Sequence, residues 1–87
     1  MIDRALDVSD LAPPEPFERA LAALETLTAG EYLRMLHRRE PLLLYVWLQE
    51  HGFEWRTQPG RTTEFEIIIW RGTDEAARQA ATRAVTS

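Results

Sequence analysis

Three prolines within four residues, Pro13, Pro14 and Pro16, constrain this chain more than any other feature. Proline has no backbone N–H and a nearly fixed φ, so it ends a strand and is tolerated in the first turn of a helix. Ala5 to Val8 reads as a short strand before them, with Leu6 and Val8 on one face. After them, Phe17, Ala20, Leu21, Leu24 and Leu27 recur at i, i+3, i+4, i+7 and i+10, the apolar stripe of a helix. Glu15 and Glu18 put negative charge at that helix's positive end. Gly30 is the expected stop.

Glu31 to His37 reads as a second strand, Leu33 and Met35 alternating with Tyr32 and Arg34. Pro41 opens a second helix whose inner face is Leu44, Trp47 and Leu48, with Leu43 beside them. His51-Gly52 closes it, Gly52 taking the left-handed conformation open to glycine. Phe53 and Trp55 alternate with Glu54 and Arg56 in a third strand. Gln58-Pro59-Gly60-Arg61 supplies a turn. Thr63 to Arg71 is the fourth strand, with Phe65, Ile67 and Ile69 on one face. Trp47 and Trp55 are expected in the core.

The order β-α-β-α-β-β predicts an α+β fold: a two-layer α/β sandwich with a four-stranded mixed sheet and two helices on one face. The opening strand–helix–strand unit requires a parallel pair. The last two strands should form an antiparallel hairpin. Residues 1–72 are expected to form the domain. Residues 73–87 are an alanine-rich tail, a weak helix capped by Thr73 or Asp74 or else disordered.

With 87 residues the chain makes one domain, which buries only roughly 60–65% of its unfolded surface. The net charge of −4 argues against nucleic acid or an anionic membrane as partner. All ten basic residues are arginine, so lysine nucleophiles and Schiff bases are excluded. Zero cysteines exclude disulfides, thiolate metal sites and persulfide chemistry. The start of the chain lacks the apolar stretch of a signal peptide, and Leu42 to Leu48 is too short to span a bilayer. The expected location is the cytoplasm.

Leu6-Asp7 and Pro14-Glu15-Pro16 fall in the register L-D-x-x-G-L-x-C-P-x-P. That motif opens the small bacterial sulfur carriers of the TusA and SirA type, which the chain resembles from about Leu6 to Arg71. Asp10 replaces the family's glycine, and Pro13 stands where the carriers have their reactive cysteine. The proline-proline form resembles a cysteine-less, uncharacterised branch of the same superfamily, a domain of unknown function. Members of that branch carry acidic and histidine residues before the second helix; here the segment reads His37-Arg38-Arg39-Glu40-Pro41. The resemblance implies a TusA/SirA-like fold. It also implies a rim that docks partner proteins without carrying sulfur.

The expected function is therefore a non-catalytic protein-binding or adaptor domain needing no cofactor, with Pro13, Pro14, Glu15, His37, Arg38, Arg39 and Glu40 at its binding edge. In this topology both helix starts face one edge of the sheet, where they and Arg38 and Arg39 could hold an anion or an acidic loop. The alternative is a solvated polar loop with Glu40 capping the second helix. A small-anion or metal-linked redox-associated domain using His37 and Glu40 is a second functional expectation. His37 and His51 lie on different elements, however, so no shared metal site is expected, and His51 suits the helix C-terminus. Glu64 and Glu66 share a strand face and are expected to be solvated. Ile68 and Trp70 lie opposite Phe65, Ile67 and Ile69, with Tyr32, Arg34 and Leu36 beside them. That strip is either a partner surface, including that of a homodimeric structural module, or is covered by the tail.

Overall fold

The computed structural model describes residues 3–86. The elements are β1 (Asp3–Asp7), α1 (Glu15–Glu25), β2 (Tyr32–His37), α2 (Leu42–Glu50), β3 (Phe53–Pro59), β4 (Phe65–Arg71) and α3 (Glu75–Thr86). The sheet order is β1-β2-β4-β3. β1 and β2 run parallel with Leu6 opposite Met35, and β4 runs antiparallel to both β2 and β3. This is the expected α+β fold with its four-stranded mixed sheet.

Strand alternation divides the sheet into two chemically distinct faces. Leu33, Met35, Ile67 and Ile69 are buried on the face that packs with Ala20 and Leu24 of α1 and Leu44 and Leu48 of α2. Tyr32, Ile68 and Trp70 are buried on the other face, against Ala77, Ala80 and Ala81 of α3. The tail is thus a docked helix, and it adds a third layer to the expected two. Alanines offer little apolar area, but their small size lets the helix lie close over the ring of Trp70. The strip around Ile68 and Trp70, one candidate interface, is covered from within the chain: Ile68 is 0% exposed and Trp70 4%. A homodimer built on these two side chains is therefore set aside.

Side chains also satisfy the helix ends. Asp74 Oδ1 accepts the Ala77 N–H at 3.0 Å, capping α3, and Asp74 Oδ2 accepts the Gly30 N–H at 2.8 Å. Gly30 has φ +81°, and Gly52 at the end of α2 has φ +80°, both positions that favour glycine. No other residue type has positive φ among the described residues, Asp10 included. The last turn of α1 carries no basic residue. Arg71 of β4 instead donates to the carbonyls of Leu27 and Leu24 at 2.6 and 3.2 Å, pinning the end of α1 to the sheet.

Trp47 and Trp55 are half-buried instead of central. Trp47 stacks on His51 with ring centroids 4.0 Å apart, and Trp55 stacks on Tyr45 at 5.2 Å. Glu66, expected to be solvated, is buried on the α3 face, where Gln58 donates to it at 3.3 Å.

The Asp74 carboxyl is held below its ordinary 3.8, first by the Gly30 N–H and then by the Ala77 N–H. A depressed folded pKa stabilises the fold above the unfolded value, and that stability is lost as pH falls through the folded pKa. Asp74→Ala should therefore lower the melting temperature at neutral pH, with the gap to the parent closing below about pH 3.8. Thermal melts across that range check it. Leu48 is 0% exposed and Leu43 81% exposed. Urea titration should show a loss of about 2–5 kcal/mol for Leu48→Ala and about 0.5 kcal/mol or less for Leu43→Ala.

Candidate functional site

The parallel pairing of β1 and β2 sends both following loops to the same sheet edge. The first loop carries Pro13 and Pro14, joined by a cis peptide bond, into α1. The second carries His37 to Pro41 into α2. Between them lies a groove of about 660 Å³. One wall is Pro13, Pro14, Pro16 and Phe17; the other is Pro41, Leu42, Leu43, Val46 and Trp47; Met35 and His37 of β2 line it as well. Arg39, Glu40 and Glu50 contribute its charged groups.

The groove is apolar because α2 is apolar around its whole circumference. Its sequence is LLLYVWLQE, and only Leu44 and Leu48 are buried. Leu42, Leu43 and Val46 remain 64%, 81% and 55% exposed. These are the exposed large hydrophobic residues among the described residues. Helical geometry puts them on one side, away from Leu44 and Leu48. Such concentrated apolar exposure is uncommon on a small domain.

The expected binding residues separate into two groups. Pro13, Pro14, His37, Arg39 and Glu40 come together in the groove. Glu15 and Arg38 are exposed and lie outside its lining. Glu40 does not cap α2, whose N-cap position is Pro41, with no side-chain cap. Its carboxylate instead accepts a hydrogen bond from the Tyr45 hydroxyl at 3.2 Å. Tyr45 also pairs with the Thr57 hydroxyl, tying α2 to β3. Burial, ahead of the opposing Thr57 bond and the Glu40 charge, raises the Tyr45 pKa above 10.0. Leu42, Leu43, Val46 and Phe17 were missed as site residues. The signal for the first three was the unbroken apolar run, which exceeds what one buried helix face can use.

His37 is the buried polar member of the groove, 8% exposed at the end of β2. Its Nδ1 accepts the Arg39 N–H at 3.1 Å, which fixes the neutral tautomer with the proton on Nε2. Burial first, then the charges of Arg38 and Arg39, lower its pKa from the ordinary 6.5. His51 lies elsewhere: its Nδ1 is 2.8 Å from the Trp47 carbonyl at the end of α2. No group of three or more histidine, aspartate or glutamate side chains that could hold a metal occurs among the described residues. No helix among them is long and apolar enough to cross a membrane.

These features define a small α+β domain with an apolar groove at the edge where two helices begin. The chain belongs to the DUF2249 family of uncharacterized conserved proteins, whose model matches residues 5–71. The match runs from β1 to the last residue of β4 and leaves α3 outside it. No curated protein and no solved structure matches the chain significantly.

Protonation of His37 removes the acceptor for the Arg39 N–H. Its folded pKa lies below the unfolded 6.5, so the stability it contributes is present above about pH 6.5 and is lost as pH falls through the folded value. NMR titration should place the His37 midpoint below 6.5, and His37→Gln should flatten the dependence of the urea midpoint on pH in that window. A midpoint above 6.5 contradicts this arrangement.

Proposed function

We propose that this chain is a non-catalytic protein-binding domain whose docking surface is the groove between the start of α1 and the outer side of α2. The exposed side chains of Leu42, Leu43 and Val46 carry this reading. Withdrawing each from water is worth about 1–2 kcal/mol, given its exposure in the free chain. Interface cores favour such apolar centres ringed by polar groups, as Arg39, Glu40 and Glu50 ring this one.

The sulfur-carrier resemblance adds a rationale for placing the surface here. The strand and helix order, the two helix starts at one edge and the Pro14-Glu15-Pro16 segment support a TusA/SirA-like scaffold. In that reading Pro13 occupies the position of the reactive cysteine at the rim of the groove. Loss of sulfur chemistry leaves docking as the function the rim retains. A chain confined to the cytoplasm of a bacterial cell suits this role.

Affinity capture from the source cells tests the proposal with two baits, the parent and Leu43→Asp/Val46→Asp. Both positions are exposed, so the double variant should melt within a few degrees of the parent. Proteins retained by the parent should be depleted about tenfold or more by the variant, because each aspartate would be desolvated at the contact. Equal recovery by both baits, or no specific recovery by the parent, contradicts the proposal.

A further inference from the structure

We propose that the occupant of the groove is a second copy of this chain, docked across a twofold axis with the two α2 helices antiparallel. The inference rests on the docking reading above and names its partner. Arg39, Leu43, Val46 and Glu50 follow one another at intervals of four, three and four residues. Leu43, Val46 and Glu50 therefore form one strip along α2, and Arg39 precedes the start of that helix. All four line the groove.

The chemistry reverses from one end of α2 to the other: a cation ahead of its start, an apolar pair along it and an anion at its last residue. Turned end over end, this face of α2 brings its cationic end to the partner's anionic end and its apolar pair to the partner's. Leu43 then meets the partner subunit's Val46, Arg39 meets the partner subunit's Glu50, and the reciprocal contacts follow. An isologous contact demands this self-complementarity. Antiparallel α2 helices also set opposite helix-dipole ends beside each other.

The charges favour this occupant over others. Arg39 and Glu50 are both exposed, and neither has an ion-pair partner among the described residues. A partner of uniform charge would be attracted at one end of the strip and repelled at the other. Glu40 shares the cationic end, but its carboxylate is engaged by Tyr45 of its own helix. The apolar pair supplies affinity, while the rim charges select the orientation.

Analytical ultracentrifugation of the full chain tests this. The parent should pass from monomer to dimer as concentration rises. Arg39→Glu and Glu50→Arg each set like charges together at both ends of the axis, and each should weaken self-association about tenfold or more. Mixed in equal amounts, the two variants should pair again, since each then meets opposite charge on the other. Circular dichroism should show both folded. A parent that stays monomeric, single reversals that dimerise as well as the parent, or a mixture that fails to recover pairing would overturn the inference. If the parent is monomeric while capture of another protein still depends on Leu43 and Val46, the docking surface stands and only self-pairing falls. If neither dimer nor capture is found, both fall.

Discussion

The parallel pairing of β1 with β2 is the constraint on which the rest depends. Leu6 lies opposite Met35 and Asp7 opposite Leu36, so the two strands finish side by side. Each is followed by a helix, and both helices must therefore begin at that edge. Had the strands paired antiparallel, Pro14 and Leu42 would start helices at opposite ends of the sheet, and no groove would exist between them. Arg4 reinforces the arrangement at the other edge, donating to the Thr26 carbonyl at 3.1 Å and reaching Glu31 at 3.3 Å. The end of α1, the start of β2 and the body of β1 are thereby held together.

The second constraint is the composition of α2. Leu44 and Leu48 bury one face of the helix against the sheet, with Tyr45 and Trp47 packed partly against the same core. Leu42, Leu43 and Val46 stay largely in contact with water. The proposed docking role gives that exposure a use. Helix α3 makes the comparison clear. On the opposite face, Tyr32, Ile68 and Trp70 would have formed a similar apolar strip, and this one is covered by the chain itself. Among the described residues, the exposed large hydrophobics all lie on α2.

Most of the frame was legible in residue pattern. Strand alternation separated Ile67 and Ile69 from Ile68 and Trp70, and the glycines at 30 and 52 marked turns whose backbone needs them. The tail was harder, because alanines carry little hydrophobic signal even when, as with Ala77 and Ala81, they are fully buried. The outer side of α2 was hardest. Periodicity assigns a buried face only when the other face is polar, and Leu42 to Leu48 has no polar side-chain group except the Tyr45 hydroxyl and the Trp47 indole N–H. Leu43 was accordingly placed near the inner face, while it is the most exposed of the three large apolar side chains. The edge where both helices start was located through its prolines and His37, yet the exposed apolar residues of α2 beside it were not.

The link from these local choices to function runs through a single junction, the edge where both helices start. A chain with no native cysteine permits a clean test of it. A nitroxide attached through Ala12→Cys, an exposed position, reports proximity by relaxation of backbone amides. The account predicts strong broadening from His37 to Leu43 and little at Gly30 and Gly52, which lie at the far edge of the sheet. Equal broadening at both edges, or broadening centred on Gly30 and Gly52, would contradict it.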